Sequence, residues 1–536
     1  MVIPVLFVLL AQAALLNVQA KSQLDRPVVL DPNCVSACDE ITRLLPGHTH
    51  HHDAAKVPLW SLFQARASPA CRVQPHSASQ IAAILGVVRE KQCRFAILGG
   101  GTAPFRGSSN VEGGVTIDLQ LMNDVRLSYP NEIGNEGAAV HVGGGARWAD
   151  VYTLLDPLNM SAVGTRNTTD DEILQGGISF FSQGHGWSCD SVIEFEIVLA
   201  NGSVVMASEW ANPDLFWALR GGGSNYGIVS RVTIDAFPQH PSLYKFRRWH
   251  TSSFDRVFQR LDSFARAMPL NMQMIATTLA WSARLGDFVT SERIVISQHQ
   301  QADDSVDVVL GRETAVVERD EHKVQEKPLA SDLTSILEEH SYSRTSLQMS
   351  QVMDHVNEAG YFNYFGSITI RSNPGLSQRI AVIFQEEVQN ILDVAGVKAY
   401  IVYNPLTVDT MRQMKRRGGN TLGLDSEEPL IIINLNMHWS SEEEIPRMTS
   451  FIETLLARFT EVAKAFELHH PYIFLNHCFE TQQAMLGYGR RTLEKLHKVR
   501  EAFDPDGVFQ RLQEAHHRLG PLLKEQDDPR FIKTEL

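Results

Sequence analysis

The chain has 536 residues, of which 43% are hydrophobic and 21% are charged, and its formal net charge is −14 at pH 7. This length and composition predict a globular protein of two or three packed units rather than a disordered chain. The acidic balance excludes nucleic acid as an expected partner, because neutralising phosphates requires clustered Lys and Arg.

The beginning of the chain predicts a signal peptide over residues 1–20. Residues 2–16 form an apolar run that is too short to span a bilayer, and small residues at 18 and 20 suit signal peptidase. We therefore expect no membrane span in the mature chain. Three sequons are typical of a secretory glycoprotein, and they begin at Asn159, Asn167 and Asn201.

The last four residues of the chain bear on the cellular location of the protein. It reads Lys533-Thr-Glu-Leu536, which is close to the signal that returns proteins to the endoplasmic reticulum. We expect a protein of the secretory pathway that is either secreted or retained in the endoplasmic reticulum.

The cysteines fit an oxidising compartment. Cys189 and Cys478 stand alone, and we expect both to be buried and apolar. The His-rich run 48–53 has no second cluster at metal-ligand spacing, so we expect an exposed loop and no metal site. Four further cysteines allow three pairings that the sequence leaves open; they are Cys34, Cys38, Cys71 and Cys93.

Residues 68–240 have the pattern of a compact α+β unit. A helix is expected over 79–91, and the strand 94–98 runs directly into Gly99-Gly100-Gly101. Asn201-Gly202 predicts a two-residue hairpin, because both central positions of such a turn need positive φ. Further strands are expected over 115–119, 139–142, 192–200 and 203–207, and further helices over 149–155 and from Pro213 to the glycines at 221–223.

Residues 241–470 have longer strands and amphipathic helices. The segment 430–439 alternates strictly, with apolar side chains at Ile433, Leu435, Met437 and Trp439 on one face. The other face carries Asn434, Asn436 and His438, which predicts a sheet whose polar face borders a cavity.

Four segments in order resemble one family. They are Cys93–Asn110 with 113–119, Asp214–Gly223 with 227–229, Arg417–Leu424, and Asp504–Phe509. Together they resemble the berberine-bridge-like oxidases of the p-cresol methylhydroxylase (PCMH) and vanillyl-alcohol oxidase superfamily, over roughly residues 65–510.

The resemblance implies an α+β fold and a division of the chain. A PCMH-type FAD-binding domain of two α+β subdomains is expected over 68–240, and an α+β substrate domain with an antiparallel sheet over 241–470. A C-terminal berberine-bridge-like segment over 471–520 would complete the FAD domain. Residues 21–67 would form a disulfide-bearing N-terminal segment, and 521–536 a tail.

The same resemblance implies an FAD site that has lost features. Family members attach flavin through a His at the position of Thr102, so any FAD here is expected to be noncovalent. Asp170, Asp171 and Glu172 place carboxylates where phosphates are expected, and this predicts a degraded site from which FAD is absent or weakly held. The implied FAD-contacting residues are Gly99, Gly100, Gly101, Thr102, Gly107, Ser108, Gly176, Gly177, Asp190, Gly227, Val229 and Asn476.

Three functions remain open from the sequence. All concern a small hydrophobic secondary metabolite of the polyketide or polyketide–amino-acid type, by analogy with the fungal branch of the family. The first is redox-neutral isomerisation or cyclisation by acid–base chemistry, which the lost flavin contacts favour narrowly. The second is oxidation by noncovalent FAD with O₂, and the third is binding without catalysis.

The acid–base candidates are side chains near motifs that would face the flavin or the substrate sheet. His185 is the first choice, since its flanking glycines would expose it. The others are His477, His438, Tyr403 and Glu480.

Overall fold

The computed structural model describes residues 30–51, 55, 57–129, 137–168, 172–269, 271–297, 336–354, 358–514 and 517–522. The expected signal peptide, the C-terminal retrieval-like ending, and Asp170 and Asp171 lie outside these ranges. The described residues form three β-sheets with helices packed on them. This architecture confirms the α+β prediction.

The first sheet has a parallel core that carries the glycine loop. Its order is β1-β2-β4-β3, with β1 at Thr49–His51, β2 at Cys71–Val73, β3 at Phe95–Leu98 and β4 at Val115–Asp118. The helices Pro32–Leu44 and Ala78–Lys91 pack beside it. Ser77 begins the second helix by accepting a hydrogen bond from the Gln80 backbone N–H.

Two disulfides join the N-terminal helix to this sheet region. They are Cys34–Cys93 and Cys38–Cys71, which settles the pairing that the sequence left open. Cys189 and Cys478 are buried and unbridged, as expected. The prediction of a loop at the His-rich run was wrong for residues 49–51, because their backbone pairs with β2 as an edge strand.

The second sheet follows in sequence and is antiparallel. Its order is β5-β6-β10-β8-β9, with β7 also paired to β10. The strands are β5 Val125–Ser128, β6 Ala139–Gly143, β7 Met160–Ala162, β8 Val192–Val198, β9 Val204–Ser208 and β10 Ile228–Pro238, and the helices are Trp148–Leu155, Ser182–His185 and Pro213–Leu219.

The hairpin between β8 and β9 differs from the two-residue turn that the sequence predicts. The Leu199 N–H donates to the Ser203 carbonyl, which leaves three residues in the loop. Gly202 has a φ of +83°, whereas Asn201 keeps a negative φ. A turn that ends in one glycine of positive φ matches the twist of the two strands with a single residue of positive φ, whereas the two-residue turn needs two.

The third sheet is antiparallel and lies within residues 241–470, for which a substrate domain is expected. Its order is β14-β11-β13-β12-β16-β17-β15-β18. The strands are β11 Ser242–His250, β12 Met272–Ser282, β13 Asp287–Ile296, β14 Ile336–Arg344, β15 Phe362–Arg371, β16 Lys398–Leu406, β17 Leu430–Trp439 and β18 His469–His470.

One face of this sheet is covered by helices, and the opposite face borders a cavity. The covering helices are Phe254–Arg266, Pro374–Val388 and Ile445–Ala465. The apolar residues of β17 pack under them, as the alternation predicts. Shorter helices lie at Leu62–Ala65, Ser346–Asp354 and Val408–Gln413.

The C-terminal part returns to the first sheet. After the helices Arg490–Phe503 and Val508–Arg511, the Phe95 N–H donates to the Leu512 carbonyl, and Gln513 pairs with Phe95. Among the helices that the structure describes, none is both long and apolar enough to cross a bilayer.

Candidate functional site

Three of the cavities in the described structure adjoin one another between the FAD domain and the third sheet. The loop cavity, about 190 Å³, lies between the 99–109 loop, β10 and Gln513. The middle cavity, about 370 Å³, lies beside Trp60, Thr102 and His477. The sheet cavity, about 350 Å³, lies on the open face of the third sheet.

Shared wall residues connect the three cavities. Thr102, Arg147 and Phe365 line both the loop cavity and the middle cavity. Asn167 and His477 line both the middle cavity and the sheet cavity. A ligand in the middle cavity would therefore touch the occupants of both neighbours.

The border between the loop and middle cavities has the backbone features of an anion site. Gly101 holds a φ of +77° and turns the chain after β3. Within the described structure, no hydrogen bond involves Gly101, Thr102 or Ala103, so their N–H groups are available to a ligand. Arg147 adds a positive charge at the same wall.

A buried amide group also points to a ligand in the loop cavity. Gln513 is 2% exposed and lines this cavity. Its Nε2 donates to Ser224 Oγ at 3.0 Å, while its Oε1 is buried without a partner among the described residues. A buried acceptor is costly when unmatched, so a donor on a bound molecule would satisfy it.

The described lining of the loop cavity shows which charged side chains border it. That lining includes Arg147 and His517 and contains no Asp or Glu. Asp170, Asp171 and the side chain of Glu172 lie outside the described part of the structure. The following residues, Ile173, Leu174 and Gln175, do line the cavity and are uncharged.

His477 is the candidate acid–base residue that the structure places in the cavities. Its ring stacks on Phe365 with centroids 4.4 Å apart and planes inclined by 14°. Burial, together with the charge of Arg166, lowers the pKa of His477 to about 3. The imidazole is therefore neutral near pH 7.

The sheet cavity is lined by the polar face of the third sheet. Asn434 and Asn436 face it from β17, and Tyr400 faces it from β16. His438 lies behind Tyr400, with its Nε2 at 3.3 Å from the Tyr400 hydroxyl. Burial lowers the pKa of His438 to about 4 and raises that of Tyr400.

The structure places three further acid–base candidates away from these cavities. The His185 ring stacks on Phe237 with centroids 4.1 Å apart, because its short helix turns it toward β10. The Tyr403 hydroxyl donates to the Ser377 carbonyl at 3.1 Å on the helix-covered side of the sheet. Glu480 is outside the lining of all three cavities, and its charge interacts with that of Arg106.

Four of the residues implied as FAD contacts are instead packing positions outside the three cavities. A Cβ at Gly107 would meet Glu514, one at Gly176 would meet Trp187, and one at Gly177 would meet Ser188. Asp190 is fully buried and accepts hydrogen bonds from the Trp187 N–H and Asn420 Nδ2, and burial raises its pKa to about 6.

The other implied contacts do line the loop or middle cavity. These residues are Gly99, Gly100, Gly101, Thr102, Ser108, Gly227, Val229 and Asn476. The sequence reasoning missed Arg147, Phe365, Tyr400 and Gln513. Arg147 lies two residues after the glycine run 143–145, a signal that could have marked it, whereas Gln513 carries no local signal.

Comparisons with known proteins agree with this geometry. Residues 69–208 match a family described as FAD binding domain. The chain is 32% identical over 483 residues to the FAD-dependent monooxygenase tpcD of Cochliobolus heterostrophus, covering 86% of each chain. It is 30% identical over 483 residues to the FAD-dependent monooxygenase FUP4 of Fusarium proliferatum, covering 86% of this chain and 87% of that one.

The chain belongs to the berberine-bridge-like family of FAD-linked oxidoreductases. Its fold is that of xylooligosaccharide oxidase from Myceliophthora thermophila, with a TM-score of 0.69 and 19% identity over 90% of this chain and 100% of that one. The Physcomitrella patens protein BBE-like 1 gives a TM-score of 0.67 at 17% identity over 91% and 99%. As a berberine-bridge-like chain of the fungal secondary-metabolite branch, it has FAD as its cofactor.

Proposed function

We propose that this chain holds FAD without a covalent bond across the loop and middle cavities and oxidises a small hydrophobic molecule in the sheet cavity, with O₂ as co-substrate. The observation that carries this proposal is the shared wall of the three cavities at Thr102, Phe365 and His477. Since two relatives are FAD-dependent monooxygenases, we infer that one atom of O₂ enters the substrate and the other leaves as water. A reduced nicotinamide would supply the two electrons that this balance requires.

The residues of the loop and middle cavities fit the cofactor. The N–H groups of Gly101, Thr102 and Ala103 would bind phosphate oxygens, and Arg147 would offset their charge. The Gln513 carboxamide oxygen would accept a hydrogen bond from a donor on the cofactor. When bound, FAD supplies two-electron redox chemistry. Thr102 offers no imidazole for covalent attachment.

The acid–base alternative has weaker support from the site. General acid–base catalysis works best when the pKa of the group is near the working pH. Burial lowers the pKa of His477 to about 3 and that of His438 to about 4. It also raises the pKa of Tyr400. These side chains therefore suit hydrogen bonding and orientation of a substrate more than proton transfer near neutral pH.

A secretory location is part of the proposal. It is supported by the two disulfides, since such bonds persist in oxidising compartments. Asn159 and Asn201 are exposed and could carry glycans, whereas Asn167 lines two cavities.

The visible absorption spectrum tests the function directly. The purified protein would be recorded as isolated and after incubation with FAD and removal of the excess, before and after denaturation. We expect a flavin band that moves to the soluble fraction on denaturation, since no covalent bond forms. Absence of a band and of any binding of added FAD would overturn the proposal and leave redox-neutral chemistry as the function to test.

A further inference from the structure

Two guanidinium groups lie against one aromatic ring in the wall of the sheet cavity. Arg248 is on β11 and Arg293 is on β13, and the strand register pairs Arg248 with Ser291 and Phe246 with Arg293. The two arginines therefore lie on one sheet face. Their Cζ atoms are 5.2 Å and 5.4 Å from the centroid of the Phe246 ring.

The positive charge at this place is incompletely balanced. Arg248 Nη1 lies 2.7 Å from Glu338 Oε2. Arg293 Nη1 has a 3.5 Å contact with Thr278 Oγ1, and its guanidinium also interacts with the Tyr244 hydroxyl. Both partners are neutral, and none of the described carboxylates forms an ion pair with Arg293. The Nε atoms of both arginines are buried without a hydrogen-bond partner in the described structure.

The rest of the cavity adds no negative charge. Its described lining includes Arg166 as a third cation and no Asp or Glu. Unbalanced charge in a partly enclosed cavity is costly, and an anion from outside the chain would relieve it. A guanidinium is also the side chain whose paired donors match the two oxygens of a carboxylate.

The remaining walls indicate the body of the ligand. Met274, Ala276, Ala280, Val289 and Val402 present an apolar surface. The sheet order places β12, β16 and β17 between β13 and β15. Four strand spacings, about 19 Å, therefore separate the strand of Arg293 from the strand of Phe365. A ligand that reaches both ends is elongated.

We propose that the sheet cavity binds an organic acid whose carboxylate is held by Arg293, with Arg248 beside it, and whose hydrophobic body extends toward His477. This inference rests on the proposed function in one respect only, namely which end of the bound molecule reacts. The acid would bind whether or not FAD is present.

The test measures how tightly an acid and its neutral analogue bind. Equilibrium dialysis with biphenyl-4-carboxylate and biphenyl-4-carboxamide would be run on the wild type, Arg293→Gln and Arg284→Gln, each after incubation with excess FAD. Arg284 is exposed in the turn between β12 and β13, so its variant removes an equal charge outside the cavity.

We expect the wild type to bind the acid at least about tenfold more tightly than the amide. Arg293→Gln should lose about tenfold or more in acid affinity and leave amide affinity unchanged, while Arg284→Gln should behave as wild type. Arg293→Lys keeps the charge but not the paired donors, so its acid affinity should lie between those of the wild type and Arg293→Gln.

Equal binding of acid and amide by the wild type would overturn the inference, as would an unaltered preference in Arg293→Gln or no binding of the acid at millimolar concentration. The wild-type ratio decides the matter even if the variant fails to fold. Flavin absorbance of the same samples separates the two proposals: a chain that binds acid through Arg293 but takes up no FAD refutes only the proposed function.

Discussion

The imidazole of His477 lies flat against the ring of Phe365, at a centroid distance of 4.4 Å, in the wall between the middle and sheet cavities. The stacked pair joins the C-terminal segment to β15 of the substrate domain. It therefore sits where the proposed cofactor and substrate would meet, and its protonation affects both the fold and the site.

The first prediction is a pH-dependent stability that His477 contributes. Its pKa is about 3 in the folded chain, against an ordinary value of 6.5, so the unfolded chain binds the proton more readily. This contribution to the free energy of unfolding is intact above pH 6.5 and is lost progressively as the pH falls toward 3. The loss amounts to about 1.4 kcal/mol at pH 5.5.

Unfolding of the wild type and His477→Gln by guanidinium chloride at pH 7.5 and 5.5 would measure the contribution of His477. The wild type should lose more free energy of unfolding than the variant over this interval. The difference between the proteins isolates His477, because Asp190, with its raised pKa of about 6, acts in the opposite direction in both. Equal losses would show that His477 is not buried as described.

The second prediction concerns Gly101→Ala and FAD. A Cβ at Gly101 would lie 3.0 Å from Leu59 Cδ2 and Leu98 Cδ1, at a φ of +77°. We expect about a tenfold or greater loss of FAD affinity, because the loop that presents the N–H groups must shift. Gly418→Ala is the matched control, with a φ of +76° and nothing within 4 Å of the added carbon.

Both variants should lose about 1 kcal/mol of stability from the backbone conformation. Only Gly101→Ala should weaken FAD binding, as measured by fluorescence titration of the flavin. A similar FAD affinity in the two variants would place the phosphates elsewhere.

The third prediction separates two tyrosines of β16. Tyr403 is fully buried in the helix-covered core, so Tyr403→Ala should cost about 3–5 kcal/mol of unfolding free energy. Tyr400 borders the sheet cavity, and Tyr400→Ala should cost clearly less, because its removal enlarges an existing space. Denaturant unfolding of both variants measures the two losses of free energy. A larger loss for Tyr400→Ala than for Tyr403→Ala would mean that Tyr403, and not Tyr400, is on the cavity face of the strand.

The fourth prediction concerns glycans. In a eukaryotic secretory host, Asn159 and Asn201 should be modified and Asn167 should not, because Asn167 lines two cavities. Single Asn→Gln variants treated with and without a glycosidase would report each site by mass. A glycan on Asn167 would be incompatible with a ligand that passes between the middle and sheet cavities.

Local sequence patterns were sufficient for the architecture and for part of the site. The triglycine after a short strand marked the loop cavity, because close approach of backbone to a ligand needs glycine at that point. The alternation of 430–439 identified the polar face that carries Asn434 and Asn436, because side chains of a strand alternate between its two faces.

Tertiary structure alone decided the rest. Tyr400 and Tyr403 lie on opposite faces of one strand, and the packing of the sheet decides that Tyr400 borders the cavity whereas Tyr403 lies under the helices. Gln513 reaches the loop cavity, and Arg248 comes beside Arg293, only because distant segments pair. Such contacts depend on strand register and chain return between residues far apart, and no local spacing in the sequence records them.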